Sequence, residues 1–293
     1  MKIRFIVNPA AGGTSRVRRI EDALRNVFGD DDGIFEVHST KGRGHAAELS
    51  IDAVAKGYEY VFACGGDGTI NEVATPLVGT KTALGIIPAG SGNGFARALG
   101  IPEDAEGAMR LVKTASARKF DVGVICGRYF FSTAGCGFDA HLSKSYNSGG
   151  ISKLLRGVLP YYPLALWEYI GYRPDAVTVN IANFKHTVTP FLLTAANTSR
   201  YGAGAIIAPD AIPDDGMLDL CIVPKTGFFD AISLASKLLS GRVTEFKGFE
   251  SIRAEKIEIQ KGAGPVHVDG EPFDWSGDIE ISVMRHKINV LAS

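Results

Sequence analysis

Cysteine is scarce in this 293-residue chain. Cys64, Cys126, Cys136 and Cys221 lie far apart with no C-x-x-C spacing, which excludes a disulfide framework and the paired spacing of a structural zinc site. Cys64 and Cys221 fall inside apolar runs, where a buried thiol is expected. An excess of either charge is missing too. The 31 Lys and Arg against 32 Asp and Glu leave a net charge of -1, so no global field draws the chain to nucleic acid. No apolar stretch reaches the roughly 20 residues that span a bilayer. The opening MKIRFIVNPAAGG has one apolar burst, too short for a signal peptide, and the sequence reads as cytoplasmic. G-x-x-x-x-G-K-[ST] is absent, which excludes a P-loop enzyme. G-x-G-x-x-G is absent as well, which removes the Rossmann fingerprint.

What is present is apolar material for two cores: 45% hydrophobic residues over a length that favours two domains. The first 120 or so residues alternate strand and helix patterns. Ile3 to Val7, Ile34 to His38, Tyr60 to Cys64 and Leu84 to Ile87 read as strands. Val17, Ile20, Leu24 and Val27 have helical spacing, as do Leu49, Ala53 and Val54 within Ala46 to Lys56. Strands alternating with helices and ending in glycine turns predict a parallel α/β sheet. Beyond Asp121 short alternating runs take over: Val122 to Cys126, Val177 to Ile181, Thr189 to Thr194, Met217 to Val223, Lys256 to Gln260 and Ile279 to Val283. They predict a mainly antiparallel β-sandwich, interrupted by helices at about Ser152 to Tyr172 and Phe228 to Ser240. The expected domains are 1-122, with a tail from about 275-293 able to return to it, and 123-274.

Three glycine-rich loops follow strands of the first domain: Asn8-Pro9-Ala10-Ala11-Gly12-Gly13, then Gly65-Gly66-Asp67-Gly68-Thr69, then Gly90-Ser91-Gly92-Asn93-Gly94. In an open parallel sheet such loops line one crevice at the carboxyl ends of the strands. Glycine lets backbone approach a bulky anion, and helix starts behind the loops aim N–H groups at phosphate. Any one of these turns is ordinary; three in register point to a nucleotide triphosphate. Asp67 suits a helix N-cap. Beside phosphates it also suits Mg²⁺, which a carboxylate and phosphate oxygens hold together, and the metal-linked role is favoured.

The ordered set NPAAGG, GGDGTINEV and PAGSGNGFA resembles the catalytic domain of diacylglycerol kinases and their bacterial lipid kinase relatives, a wider family that includes sphingosine and ceramide kinases. The resemblance spans nearly the whole chain. It takes in Thr40 with Gly44-His45-Ala46, Phe120 to Gly123, Gly135-Cys136-Gly137-Phe138-Asp139-Ala140, Pro213 to Asp219 and Val268-Asp269-Gly270-Glu271. It implies ATP on the first domain and a lipid entering the cleft between domains. Thr40, the segment Gly65, Gly66, Asp67, Gly68, Thr69, Ile70 and Asn71, and Ser91 would contact ATP, with Asn8, Pro9, Gly12, Gly90, Gly92 and Asn93 completing the loops. Asp269 would be the general base, with Glu271 beside it. A structural Mg²⁺ would sit at Asp215 with the carbonyls of Ile212 and Met217. Asp121 and Asp139 would join a carboxylate network around catalytic Mg²⁺.

Read from the residues alone, Asp269-Gly270 is equally a hairpin turn, and Asp214-Asp215-Gly216 equally an acidic surface turn. His45 at a helix start is more often structural than a phosphate contact. One departure stands out: bacterial relatives often carry G-T-x-N-D-F in the third loop, where this chain has Ser91 for Thr and Gly94 for Asp. That form is closer to the sphingosine and ceramide branch. The segment Ile151 to Arg173, rich in Leu and aromatics with Lys153 and Arg156, suits either reversible membrane contact or core packing, and Pro160 and Pro163 are expected to break any long helix there. The leading expectation is an ATP-dependent lipid kinase acting on diacylglycerol. Alternatives are a sphingoid-base or ceramide kinase, a soluble-substrate enzyme such as NAD kinase (which shares GGDGT), and a non-catalytic ATP sensor. Exposed strand edges would allow a homodimer; nucleic acid is not expected as a partner.

Overall fold

The computed structural model of the chain describes residues 2–11, 14–29, 35–90, 92–148, 161–182, 184–201 and 204–292. It divides into two compact units: Met1–Val122 with Arg285–Ser293, and Gly123–Met284.

The first unit contains β1 (Ile3–Val7), α1 (Thr14–Phe28), β2 (Phe35–Ser39), α2 (His45–Ala55), β3 (Tyr60–Gly65), α3 (Asp67–Ala74), β4 (Ala83–Pro88), α4 (Gly94–Ala98), α5 (Ala105–Thr114) and most of β5 (Ala117–Ile125). Strands β2, β1, β3 and β4 pair in that order, all parallel. Every residue of β1 is buried, as a parallel strand covered on both faces must be. Phe5 stacks on Phe62 with centroids 4.6 Å apart. Arg4 breaks the apolar run without leaving its charge bare. It pairs with Asp52 at 2.6 Å and Glu36 at 2.9 Å and lies over the Tyr58 ring. Hydrogen bonds from Tyr58, His38 and Arg4 bring the Glu36 carboxyl down to about 2.

The second unit contains β6 (Arg128–Phe130), β7 (Thr133–Gly137), α6 (Phe138–Ser148), α7 (Tyr161–Gly171), β8 (Val177–Ile181), β9 (Phe184–Val188), β10 (Pro190–Ala196), β11 (Leu218–Pro224), α8 (Phe228–Ser240), β12 (Glu250–Ala254), β13 (Lys256–Gln260), β14 (Gly264–Val268), β15 (Glu271–Trp275) and the start of β16 (Ile279–Leu291). One antiparallel sheet runs β12-β11-β10-β7-β14-β15. Strands β16, β13, β8 and β9 pair antiparallel in a second layer. Alternation fills the space between them: Leu193, Ala195, Leu220 and Val266 from one sheet meet Val179, Ile257, Ile259 and Ile281 from the other. The opposite residues of the first sheet, among them Leu192, Cys221 and Val223, pack under helices α6, α7 and α8 with Phe138, Leu164, Tyr169 and Leu234. The result is a β-sandwich with a helical layer on one outer face.

The α/β and sandwich readings hold, with differences at element scale. Strand β5 begins at Ala117 rather than Val122, and β16 continues to Leu291 rather than stopping at Val283. Its last residues pair parallel with β4 at Asn289 and Val290. Pro163 does not break a helix: it occupies the third position of α7, where no intrahelical N–H bond is lost. Ile34 and residues 149–160, including Lys153, Arg156 and Pro160, lie outside the described residues.

Candidate functional site

In the first unit the three loops are tied to one another at the carboxyl ends of β1, β3 and β4. The Asn8 amide donates to Thr69 Oγ1 at 2.9 Å, and the Asn8 N–H to the Cys64 carbonyl at 2.9 Å. Asn8 Oδ1 in turn accepts the Ala10 N–H, which shapes the short turn Pro9–Ala11. The Ala89 N–H donates to the Gly65 carbonyl at 2.8 Å, joining the second loop to the third. Where those loops cross, a Cβ on Gly90 would stand 2.6 Å from the Gly66 Cα, so only glycine lets the backbones pass this closely. Asn93 adopts left-handed geometry (φ 54°); its amide donates to the Gly90 carbonyl and its Oδ1 accepts the Gly90 N–H.

Helix α3 starts directly behind the second loop. Its N-cap is Gly66 and no side chain caps it. Asp67 is therefore the first helical residue, not the cap the sequence allowed, and it is half-buried in the first turn. Gly68, Ile70 and Asn71 continue that helix. Thr40 follows β2, its N–H held by the Val7 carbonyl. His45 has a structural task, accepting the Lys41 N–H at Nδ1. Gly12 and Ser91 lie outside the described residues, while Gly92 is described and partly buried.

Asp121 is buried on β5, and its Oδ1 accepts the His286 N–H at 2.7 Å. Asp215 accepts the Met217 N–H at 2.9 Å and pairs with Arg253 through its other oxygen; Ile212 is exposed nearby in sequence. Among the described residues no group of three His, Cys, Asp or Glu side chains is placed to hold a metal ion. A cation at Asp215 would share that carboxylate with the Arg253 guanidinium. Asp67 fits a single-carboxylate share in an ion carried by phosphates.

In the second unit Asp269 and Gly270 form the two-residue link between β14 and β15, closed by the Val268–Glu271 pair. Both have positive φ, 48° and 85°, the signature of a type I′ turn. Asp269 is thus the turn residue, and it also does more. Its carboxylate accepts the N–H groups of Phe131 at 3.0 Å, Ser132 at 2.7 Å and Thr133 at 3.1 Å, while its own N–H donates to the Thr133 carbonyl at 2.8 Å. Asn197 braces the same loop, donating to the Phe131 carbonyl and, from its backbone, to that of Ser132. The carboxylate is thereby fixed in orientation by a backbone nest. Glu271 is exposed one residue past the turn.

Sequence reasoning did not assemble a buried cluster two residues away. Gly135 sits between Thr194 of β10 and His267 of β14 in register, and a Cβ there would strike the Leu193 carbonyl at 2.3 Å. Asp139 enters from the first turn of α6. Its Oδ2 accepts from Thr194 at 2.7 Å and Tyr201 at 3.0 Å and meets His267 Nε2 at 3.1 Å. Burial raises the Asp139 carboxyl, yet His267 and the hydrogen bonds from His267, Thr194 and the Ala140 N–H outweigh it and hold the group below the usual range. The sequence signal was the run Gly135-Cys136-Gly137-Phe138-Asp139; nothing in it named Tyr201 or His267 as its partners.

Residues 2–125 match the family described as diacylglycerol kinase catalytic domain, and residues 132–291 match that described as YegS C-terminal NAD kinase beta sandwich-like domain. The chain is 31% identical over 291 residues to the diacylglycerol kinase of Bacillus subtilis (strain 168), covering 97% of this chain and 94% of that protein. It is 28% identical to the diacylglycerol kinase of Mycobacterium tuberculosis (strain ATCC 25618 / H37Rv), covering 99% and 94%. A crystal structure of a diacylglycerol kinase from Bacillus anthracis str. Sterne superposes with a TM-score of 0.72 at 19% identity, covering 100% of this chain and 97% of that one, which speaks for the fold. With both halves matched and the loops in order, the chain belongs to the diacylglycerol kinase catalytic-domain family and is a lipid kinase.

Proposed function

We propose that this lipid kinase transfers the γ-phosphate of ATP to a hydroxyl of a membrane lipid, diacylglycerol first among the candidates. The observation that carries the reading is the knotting of three glycine-rich loops at the strand ends of the first unit, with α3 uncapped behind the second. Backbone N–H groups there suit the nucleotide phosphates, and Asn8, Pro9, Thr40, the Gly65 to Asn71 segment, Gly90, Gly92 and Asn93 would surround them. Gly12 and Ser91 belong to the same loops. Mg²⁺, when bound, would neutralise phosphate charge, and Asp67 would share in holding it.

The lipid hydroxyl oxygen forms the new bond to the γ-phosphorus while the bond to the β–γ bridging oxygen breaks and ADP departs. The hydroxyl proton passes to the Asp269 carboxylate. Such a transfer depends on positioning and electrostatics more than on covalent chemistry. Three backbone N–H groups aim the Asp269 carboxylate in advance. Asp121 and Glu271 are assigned supporting places in this scheme, Asp121 through its tie to β16.

The third loop keeps a second acceptor class in play, because Ser91 and Gly94 stand where a Thr and an Asp are frequent among bacterial diacylglycerol kinases. A competition assay decides between them. Labelled ATP and Mg²⁺ are supplied with detergent-dispersed diacylglycerol, sphingosine and ceramide, and with NAD in a parallel vessel. Label on diacylglycerol alone supports the reading; label on sphingosine or ceramide moves the chain to that branch, and label on NAD overturns the lipid acceptor.

A further inference from the structure

Helix α8 has two apolar faces where a surface helix needs one. Leu234 is buried, with Leu238 packed partly behind it in the helical layer of the second unit. The other face presents Phe229 at 83% exposure and Ile232 at 54%, with Leu239 continuing the same stripe and only Ser233, Ser236 and Ser240 between them. Residues 229, 232, 236, 239 and 240 fall at helical spacing on one side. Helix α7 is divided in the same way. Leu164 and Tyr169 pack inward, while Trp167 is 74% and Ile170 62% exposed.

The two helices meet at one end. The Tyr169 hydroxyl donates to the Thr226 carbonyl at 2.7 Å, two residues before α8, and the Tyr169 ring lies 6.0 Å from Phe228. A cavity of about 120 Å³ at this seam is lined by Tyr169, Ile170 and Arg173 on one side and by Lys225 and Thr226 on the other. Charge is absent from the outer stripe of α8 and gathers at its ends. From 225 to 248 the cations Lys225, Lys237, Arg242 and Lys247 face two acids, Asp230 and Glu245; Lys237 at 3.0 Å and Arg242 at 4.0 Å both pair with Glu245.

We propose that the exposed faces of α7 and α8 form a membrane-docking surface, which seats Trp167, Ile170, Phe229 and Ile232 among lipid chains while Lys225 and Lys247 meet anionic headgroups. Exposed aromatics flanked by cations are what an interfacial element needs. The substrate class supplies the occupant: a kinase of lipids works at a bilayer, and among the described residues no helix is long and apolar enough to cross one. A second copy of the chain would bury the stripe equally well, but it would bring like charges at the helix ends against each other. This surface rests on the lipid-kinase assignment and on nothing about which headgroup is phosphorylated.

The test is co-sedimentation of the full chain, without ATP, on vesicles of phosphatidylcholine with and without phosphatidylglycerol. Phe229→Glu with Ile232→Glu is compared with wild type, and Trp167→Glu serves as an independent second variant. Binding of the wild type, stronger with phosphatidylglycerol and weakened by salt, is expected. The double variant should fall by about a hundredfold, the scale of two large apolar side chains denied burial. Its turnover of a monomeric short-chain lipid should stay at the wild-type rate. Vesicle binding by both variants equal to wild type would overturn the proposal. So would a wild type that phosphorylates dispersed lipid without binding vesicles, or variants that only turn a dimer into a monomer. Failure to phosphorylate any lipid, with vesicle binding intact, would count against the kinase assignment and leave the docking surface standing.

Discussion

At the scale of single residues, Asp269 holds two roles that substitution can separate. Asn tolerates left-handed backbone as Asp does, so Asp269→Asn should keep the hairpin and fold, with a melting temperature lowered by the Phe131 N–H that loses its carboxylate oxygen. It has no carboxylate to take the hydroxyl proton, and turnover should drop by about 10²- to 10⁴-fold, the usual weight of a general base. An Asn variant with wild-type turnover would leave Asp269 a turn residue only. Asp139 makes a pH prediction. Its folded-state pKa lies below the ordinary carboxyl value. The stability it contributes is therefore present above that ordinary value, about 3.9, and is lost as pH falls through the depressed one. Asp139→Asn should flatten this acid limb in a melting-temperature series, and an unchanged limb would show that the cluster does not set it. At this scale the sequence was legible where a motif put Asp beside Gly. It was mute on His267 and Tyr201, because a cross-strand cluster depends on register, and register is not written in neighbouring residues.

At the scale of elements, the β-branched and aromatic strands were readable: Val177–Ile181 and Lys256–Gln260 have the bounds their alternation predicts, as does the helix Phe228–Ser240. Strand β7 was missed for a physical reason. Thr133-Ala134-Gly135-Cys136-Gly137 is made of small residues with weak strand preference, and it is a strand because β10 approaches too closely for anything larger. The glycine loops were legible in composition, but their knotting through Asn8 and Thr69 was not. It yields a prediction. Gly90→Ala places a methyl 2.6 Å from the Gly66 backbone, where no flexible side chain can yield. The second and third loops must separate, at a cost of about 1–3 kcal/mol in stability. ATP affinity measured by calorimetry should fall more steeply than the melting temperature; unchanged ATP affinity would show that the loop crossing is not part of the nucleotide site.

At the scale of the molecule, the chain's last residues belong to its first unit. Ile288, Val290 and Leu291 are buried, Asn289 and Val290 pair with β4, and the Asn289 amide donates to the Thr80 carbonyl. Three large apolar side chains at about 1.5–3 kcal/mol each approach the whole stability of a domain. Truncation after Met284 should therefore give insoluble protein, and a soluble, cooperatively melting fragment would contradict this. The change of pattern near residue 122 was visible in the sequence. The reach of β16 to Leu291 was not, since Arg285, His286 and Lys287 interrupt its alternation.

Phosphoryl transfer from ATP to a lipid hydroxyl can be followed by ³¹P NMR of the lipid extract. Protein, ATP, Mg²⁺ and dispersed diacylglycerol should give a new lipid phosphomonoester resonance that grows in step with ADP and is lost with Asp269→Asn. ADP formed without any phosphorus entering the lipid fraction, from protein that binds ATP, would rule out a lipid acceptor.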